Sequence, residues 1–338
     1  MVEKNLEIET ISGVRACLNK EVFDNPTKIG LYYFFRHTLI FFAFSYLLLH
    51  NDSIYFLIPI WIVHSLNLFS LYQIGHDCAH YSVFKNRTLC YIVGQISFLP
   101  SLHPFHQWVF GHNTIHHAKT SQLKFDLAWH PKTNQKFYKM NRADRLIHKF
   151  YWSSFGIGMY YMIKMWFQGL IVNPAPYKNA KRDIVLVISF AILNILGILW
   201  FYDFEITLVA WTFCKLYLIP FVLVNYLIGT VVYLHHINLD VKWKTKKDWT
   251  KFHGQIQATT NFTVPSFLNF FLLNVMVHSP HHLNAKIPFY NLPNALAQMK
   301  TKYKEYLILK DSLLKEFLIS TKNCKLIDEE TGEWVRYV

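Results

Sequence analysis

Two short stretches, GHDCAH at residues 75–80 and HNTIHH at residues 112–117, each place histidines four residues apart. Residues four apart on a helix share one face, so each pair could present two imidazoles to one point. A third cluster, HSPHH at residues 278–282, repeats the pattern with spacings of three and four. The three clusters hold eight of the eighteen histidines in the chain. They predict a shared metal site, because a bound cation removes the repulsion between crowded imidazoles.

The composition indicates that this site belongs to a membrane protein. Of the 338 residues, 52% are hydrophobic, 17% are aromatic and only 16% are charged. This profile is typical of membrane proteins. The net charge of +13 favours anionic lipid headgroups as partners, and apolar spans without a nucleic-acid motif argue against nucleic acid. The five cysteines are scattered and do not indicate disulfides, and no cleaved leader is expected in the polar first thirty residues.

Four apolar stretches are long enough to cross a bilayer core of about 30 Å. They comprise residues 31–49, 54–75, 184–202 and 206–234. The fourth is longer than a bilayer requires and contains Pro220, so we expect it to tilt, to kink there or to project beyond the bilayer. Two shorter apolar segments are typical of helices at the membrane surface, namely residues 88–102 and 160–172.

The distribution of charge predicts the orientation. The turns at 50–53 and 203–205 contain no Lys or Arg, whereas the other polar segments are basic. The positive-inside rule therefore places both termini and all histidine clusters in the cytosol. The predicted fold is an all-α integral membrane protein with four transmembrane helices and a cytosolic helical cap that holds a histidine-rich dimetal site. Its predicted parts are a cytosolic N-terminal segment (1–30), a membrane domain (31–310) and a cytosolic tail (311–338).

The number of histidines predicts two metal ions. Imidazole is a ligand for Zn, Cu, Fe and Ni, so the ligand type alone does not name the metal. The eight clustered histidines, with one more from the pair His235 and His236 after the fourth span, exceed the capacity of one ion. The Glu-x-x-His pattern of four-helix di-iron carboxylate proteins does not occur in these clusters.

The three clusters resemble the histidine boxes of the membrane-bound fatty acid desaturase family, and their context is most similar to acyl-lipid Δ12/omega-6 desaturases of bacterial and plastid type. The second box departs from the Δ12 type, with three residues between His112 and His116 where two are usual. The matching passages are PFHQW (104–108), DLAW (126–129), YLHH (233–236), HSPHHL (278–283), IPFYNL (287–292) and LID (326–328).

The resemblance implies two iron ions held by nine histidines, with no catalytic residue separate from the metal centre. Among the two candidates after the fourth span it favours His236, with His235 beside the site. Asp77 and Asp126 could accept hydrogen bonds from ligand imidazoles, or be ordinary surface or cap carboxylates. The implied ligands are His76, His80, His112, His116, His117, His236, His278, His281 and His282. Structural roles are expected for His37, His50, His64, His103, His106, His130, His148 and His253.

The implied function is an O2-dependent desaturase that introduces a cis double bond into an acyl chain of a membrane lipid. The resemblance also implies a bacterial inner membrane, with the active site facing the cytosol. No fused heme segment of the type His-Pro-Gly-Gly occurs, so electrons are expected from an external carrier such as a ferredoxin. A related di-iron hydroxylase or carotenoid ketolase is an alternative. A histidine-lined metal transporter is another, although it predicts ionisable residues near the midplane of the spans.

Overall fold

The computed structural model describes residues 10–337 and is mainly helical. The first nine residues of the predicted N-terminal segment lie outside the described residues. The helices of the first half are α1 (Ile11–Ala16), α2 (Thr27–Leu49), α3 (Ile54–Ala79), α4 (Arg87–Phe98), α5 (Phe105–Trp108), α6 (His117–Lys119), α7 (Asn134–Lys139) and α8 (Arg142–Tyr151). Those of the second half are α9 (Gly156–Tyr160), α10 (Lys178–Phe201), α11 (Ile206–Phe213), α12 (Ile219–His236), α13 (Ser266–Leu272), α14 (Ser279–Leu283), α15 (Leu292–Tyr303) and α16 (Leu313–Asn323).

Short irregular helices connect several of these elements. Four turns are 3₁₀-helical, at Lys20–Phe23, Leu99–Ser101, Phe289–Asn291 and Lys304–Tyr306. Four wider segments are π-helical, at Val109–His116, Tyr161–Val172, Cys214–Leu218 and His253–Gln257. Such π segments are rare and are found mostly at functional sites.

The prediction of an all-α membrane protein with four spans is confirmed. Within residues 10–337, four helices are long and apolar enough to cross a bilayer, namely Thr27–Leu49, Ile54–Ala79, Lys178–Phe201 and Ile206–His236. Each contains its predicted apolar stretch almost entirely, but α3 continues four residues past it to Ala79. The last turns of α3 are buried inside the protein. Their polar side chains therefore contact protein and not lipid, and the sequence there need not be apolar.

The fourth span is irregular where its proline predicts it to be. Its two α-helical parts, α11 and α12, are joined by the π segment Cys214–Leu218, and Pro220 follows in the first turn of α12. Proline lacks a backbone N–H and its ring clashes with the carbonyl four residues earlier. The wider π turn therefore lies just before the proline, where a carbonyl of a regular α-helix would clash with the proline ring.

A buried lysine joins the fourth span to the turn between α2 and α3. Lys215 is only 2% exposed, and its Nζ lies 2.7 Å from Asp52 Oδ1. The same Nζ donates to the carbonyls of Asn51 (3.0 Å) and Leu49 (3.3 Å). Trp211 also donates to Asp52 Oδ1, at 2.6 Å. The only Asp in this turn and the Lys of the fourth span thus form one paired group.

His37 is buried within the protein. Arg36 and His37 interrupt the first apolar stretch, and their side chains could extend to the nearby membrane interface. In the structure His37 is fully buried, and its Nδ1 lies 2.7 Å from Asn67 Oδ1 of α3. This packing agrees with the structural role expected for His37, and its partner Asn67 is one that only tertiary structure brings to it.

The last part of the chain packs against the rest of the protein. Thr260–Phe262 (β1) pairs in parallel with Ile308–Lys310 (β2). Leu326–Ile327 (β3) pairs antiparallel with Trp334–Val335 (β4). Cys324 and Ile327 belong to a buried cluster that includes Trp129.

Candidate metal centre

Three segments that are far apart in sequence carry the three histidine clusters. His76 lies in the last turn of α3, and His80 caps that helix. The second cluster lies on the π segment Val109–His116 and the first residue of α6. His278 caps α14, which contains Pro280 in its first turn, where proline is well tolerated, and His281 and His282 follow.

Eight of the nine predicted ligands form two compact groups. Within each group, one ring nitrogen of every histidine lies within 4.8 Å of those of the others. The first group consists of His76, His80, His112 and His281. The second consists of His116, His236, His278 and His282.

The expectation that each pair of histidines four apart shares one point holds for the first box and not for the second. His76 and His80 belong to the same group, whereas His112 and His116 are divided between the two. The second box lies on a π-helical segment, in which backbone hydrogen bonds join residues five apart, and His112 Nε2 lies 3.1 Å from Nε2 of His117, five residues further on. The second box therefore contributes to both groups.

The ninth predicted ligand, His117, lies between the groups. Its Nε2 is 3.1 Å from His112 Nε2 in the first group. Its ring stacks on that of His282 in the second, with centroids 4.2 Å apart and an angle of 14° between the planes. His117 is thus in reach of the first group while it packs against the second.

The two adjacent histidines at the end of α12 have different positions. His236 Nε2 is 3.1 Å from His278 Nε2 inside the second group, and its Nδ1 is 3.0 Å from the carbonyl oxygen of Ala258. His235 lies behind the group and stacks its ring on His278 with centroids 3.6 Å apart. His235 Nε2 is buried and has no hydrogen-bond partner among the described residues.

Both predicted carboxylates contact ligand histidines. Asp77 Oδ1 lies 2.8 Å from His76 Nδ1, and Asp77 Oδ2 accepts a hydrogen bond from the backbone N–H of Phe289 at 2.8 Å. Asp126 Oδ1 lies 2.7 Å from His116 Nδ1. Asp126 also accepts from the backbone N–H of Ser121 at 2.7 Å and from that of Ala128 at 2.9 Å.

These contacts fix the ring nitrogen that faces each group. An N–H donated from Nδ1 of His76, His116 or His236 to its oxygen acceptor leaves the lone pair on Nε2. In the first group, His76 Nε2 and His112 Nε2 are 3.2 Å apart. Two nitrogens bound to one ion at about 2.1 Å are separated by about 3.0–3.4 Å for octahedral or tetrahedral angles. The spacing of the ring nitrogens therefore fits a shared cation.

Unpaired nitrogens in the groups point to the same conclusion. Nε2 of His80, His281 and His282 is buried and has no hydrogen-bond partner within residues 10–337. A buried polar atom without a partner costs about 1–3 kcal/mol. A cation bound by these nitrogens would remove that cost, and an all-imidazole set suits Fe, Zn, Cu or Ni.

Burial keeps five of the predicted ligand histidines outside the spans neutral. Burial and, secondarily, neighbouring imidazoles lower the pKa of His281 to about 3. The same causes hold the pKa of His112, His117, His278 and His282 well below the ordinary value. Burial alone would raise the pKa of Asp126, but its contact with His116 and the hydrogen bond from the backbone N–H of Ala128 lower it overall. Neutral imidazoles and an ionised Asp126 are the forms that metal binding requires.

A cavity adjoins the two groups and is lined mainly by apolar and aromatic side chains. Its volume is about 150 Å³, and His112 and His116 form part of its wall. We call this cavity the apolar corridor. Its other lining residues are Tyr72, Trp108, Gly111, Leu127, Ala128, His130, Tyr160, Tyr161, Lys164, Met165, Gly169, Leu170 and Val232.

The histidines with expected structural roles that are hydrogen-bonded outside the groups include His103, His106 and His253. His103 contacts Tyr161 OH at 2.9 Å, and His106 Nδ1 pairs with Asp183 at 2.6 Å. His253 Nε2 lies 2.9 Å from the carbonyl oxygen of Lys242.

Sequence reasoning missed one residue beside the centre. Thr120 Oγ1 donates to the His116 carbonyl at 2.8 Å and lies 3.2 Å from His282 Nδ1. A threonine after a histidine box carries no motif signal, so only the structure reveals this contact.

Comparison with known proteins identifies the family. A family model described as fatty acid desaturase matches residues 51–312. The chain is 29% identical over 294 residues to an sn-1 oleoyl-lipid 12-desaturase of Anabaena variabilis, covering 82% of this chain and 79% of the relative. It is 27% identical to an sn-1 acyl-lipid omega-3 desaturase (ferredoxin) of Synechocystis sp., with 88% and 82% covered.

A plant relative covers nearly the whole chain. An omega-6 fatty acid desaturase, chloroplastic, of Spinacia oleracea is 26% identical over 334 residues, which cover 97% of this chain and 72% of the relative. The match over most of the chain confirms the resemblance to this family found in the sequence. It also confirms the prediction of a membrane oxidoreductase of the desaturase type. The chain belongs to the fatty acid desaturase family.

Proposed function

We propose that the protein is an O2-dependent acyl-lipid desaturase that uses two iron ions, bound by the nine histidines, to introduce a cis double bond. The observation that supports this proposal is the placement of two four-histidine groups beside the apolar corridor. The acyl methylenes that a desaturase attacks have no acidic proton, so acid–base chemistry by side chains is insufficient. Bound iron would supply the oxidising capacity for O2-dependent removal of hydrogen from such methylenes.

The protein's own contribution is to hold an acyl chain and to exclude water. Trp108 and Tyr161 line the apolar corridor and are both almost completely buried. Trp108 stacks on His112 with ring centroids 4.0 Å apart, so the wall of the corridor and the first histidine group are in direct contact. A chain in the corridor would have its position along the groups fixed by packing, which gives the selectivity for one bond.

The proposed electron donor is a small acidic protein of the ferredoxin type. Ferredoxin is the carrier in the name of the Synechocystis relative. A basic run that contains Trp249 offers a binding surface of the complementary charge. Trp249 Nε1 donates to the Thr120 carbonyl at 2.8 Å, and Thr120 Oγ1 contacts His282. The lysines of this run are Lys244, Lys246, Lys247 and Lys251. An electron donor bound at this surface would be connected to the second group through two residues, Trp249 and Thr120.

The proposed location is a bacterial inner membrane, with the metal centre facing the cytosol. It rests on the four spans and on the absence of Lys and Arg from the turns at 50–53 and 203–205. The same arrangement would suit a plastid membrane of the kind named for the spinach relative.

The direct test is expression in a bacterial host that makes no polyunsaturated lipid, followed by fatty acid profiling of its membranes. We expect a new cis-unsaturated acyl chain and about two iron atoms per purified chain. His278→Ala should abolish the product, whereas His253→Ala, which alters a histidine outside both groups, should retain it. Tightly bound zinc with no iron-dependent product would exclude the di-iron proposal, and a hydroxylated product would exclude desaturation.

A further inference from the structure

A second and larger cavity lies next to the apolar corridor. Its volume is about 700 Å³, and polar side chains form much of its wall. We call it the basic vestibule. Its polar lining includes Lys132, Lys136, Lys164, His148, Gln168 and Asn173.

The basic vestibule adjoins the apolar corridor. Four residues line both cavities, namely His130, Tyr160, Lys164 and Gly169. A molecule in the vestibule could therefore extend past these residues towards His112 and His116 at the inner end. The combined shape is a polar chamber followed by a narrow apolar one.

The vestibule has an excess of positive charge. Three lysines line it, and Asp144 is the one carboxylate in its wall. Within residues 10–337, none of these lysines has a carboxylate partner at ion-pair distance, and Lys164 Nζ only contacts Gln168 at 3.2 Å. Unpaired lysines that surround one cavity are a binding site for an anion such as a phosphate.

An exposed apolar helix face lies beside this cavity. Leu146, Ile147 and Phe150 of α8 are 68%, 50% and 48% exposed, although the rest of the helix is strongly polar. Ile147 also lines the vestibule. An amphipathic helix with exposed apolar side chains and flanking basic residues is typical of an element that lies in a membrane surface. The vestibule would then open where lipid headgroups are.

We propose that the basic vestibule binds the phosphate of an anionic lipid headgroup while one acyl chain of that lipid occupies the apolar corridor. This inference rests on the proposed function and adds the chemical class of the acyl carrier. Lys132, Lys136 and Lys164 bind the phosphate oxygens, and the junction at Tyr160 and Gly169 admits one acyl chain. The lipid enters sideways from the membrane surface next to α8.

The charge of the vestibule is tested by binding, which needs neither iron nor a reductant. The probe is a fluorescent phosphatidylglycerol, titrated into purified protein in an uncharged detergent. The variant Lys132→Gln/Lys136→Gln/Lys164→Gln should bind it about tenfold more weakly, with less difference at high salt. The control Lys300→Gln/Lys302→Gln/Lys304→Gln removes the same charge outside both cavities and should stay within about twofold.

Two competitors distinguish the sources of the signal. A neutral galactosyl lipid with the same acyl chains should compete at least about tenfold less well than unlabelled phosphatidylglycerol, and inorganic phosphate alone should compete only weakly. Equal competition by the galactosyl lipid, or equal affinity of both triple variants for the probe, would overturn the assignment of an anionic headgroup. Complete displacement by low concentrations of phosphate would show a phosphate site that does not hold a lipid.

The junction is tested by filling it. A Cβ on Gly169 would meet only the Lys164 carbonyl at 3.4 Å, so Gly169→Leu should fold and should place its side chain between the two cavities. Gly197→Leu is the matched control, since nothing lies within 4 Å of a Cβ at that position. Gly169→Leu should lose the probe's immobilised acyl chain, read as fluorescence anisotropy with the label on the chain end, and the control should not.

These outcomes separate the inference from the proposed function. A wild-type protein that binds the probe through the lysines but forms no unsaturated product would contradict the proposed function alone. A protein that desaturates its lipids while neither the lysine variant nor Gly169→Leu alters probe binding would contradict this inference alone.

Discussion

The surroundings of His235 and His236 differ although the two residues are adjacent. His236 directs Nδ1 to the Ala258 carbonyl, which leaves Nε2 for the second histidine group. Nε2 of His235 has no hydrogen-bond partner within residues 10–337, and the ring packs face to face on His278. A single backbone carbonyl thus distinguishes the position of the proposed ligand from that of its neighbour.

We expect His236→Ala to lose desaturation and to lower the bound iron from about two atoms per chain to about one, because one group loses an imidazole. His235→Gln should retain measurable desaturation, since an amide can form hydrogen bonds where the imidazole was. Fatty acid profiling and iron analysis of the two purified variants check this. Reversed phenotypes would mean that the end of α12 is rotated from the arrangement described.

The sequence indicated which histidines come together in the fold but not how they are grouped. Local spacing identified His76 and His80 as a pair, because an α-helix fixes which residues share a face. It could not divide His112 from His116, because a π turn depends on the packing around it. Nor could it show Thr120 or Ala258, whose contacts with the histidines arise from segments that meet only in the folded chain.

At the scale of elements, glycines allow two helical segments to cross closely. A Cβ on Gly158, in α9, would lie 2.7 Å from Tyr226 Cα in α12. A Cβ on Gly229 of α12 would lie 2.8 Å from Tyr161 Cβ. This crossing holds Tyr160 and Tyr161 in the wall of the apolar corridor.

We expect Gly158→Ala to lower the unfolding temperature by about 2–6 °C, because a backbone atom cannot move aside and overpacking costs about 1–3 kcal/mol. The matched variant Gly197→Ala meets no atom within 4 Å, and alanine is favoured over glycine in helices. Thermal unfolding in one detergent checks both. A Gly158→Ala protein as stable as Gly197→Ala would show that the crossing is loose.

The elements predicted best from the sequence are those in lipid, which restricts the backbone to few structures. The four spans followed from hydropathy, because a chain in lipid must satisfy its backbone groups within a helix. The parallel pairing of β1 with β2 was not predictable, since each strand has three residues and the two are far apart in sequence. The two segments predicted as surface helices, 88–102 and 160–172, are helical, the second mostly as a π-helix, and their position at the membrane surface stays a prediction.

For the whole molecule, the cytosolic position of both termini and of the metal centre stays a prediction. Reporter fusions at Asn51 and Asp203 should map to the outer face, because these turns lack Lys and Arg. Fusions at Lys85, Lys124 and the C-terminus should map to the cytosol. A difference in side between Lys124 and the segment after His278 would be incompatible with one shared centre.

The metal-free protein should lose stability in mild acid. An unfolded histidine binds a proton below a pH of about 6.5, whereas the buried His281, with its pKa of about 3, does not. Each such histidine therefore lowers the free energy of unfolding by up to about 1.4 kcal/mol per pH unit as the pH falls below about 6.5. Unfolding temperatures of the iron-free protein should be flat above about pH 7 and fall towards about pH 5.

The variant His282→Gln removes one of these histidines, whose pKa is also held well below the ordinary value. Its unfolding temperature should depend less steeply on pH than that of the unaltered protein. Equal curves for both proteins, or no decline in acid, would contradict the linkage.

The pairing of Lys215 with Asp52 has a consequence for how the chain is made. A ribosome delivers the first two spans before the last two, and a charge within a span is costly in lipid without a partner. The partner of Lys215 is supplied only by the earlier hairpin. The second hairpin should therefore depend on the first for insertion into the membrane during synthesis. Expressed alone, residues 178–338 should be degraded rapidly, and Lys215→Met should lengthen the lifetime of that fragment in a pulse-chase measurement; an unchanged lifetime would show that the order of insertion is set elsewhere.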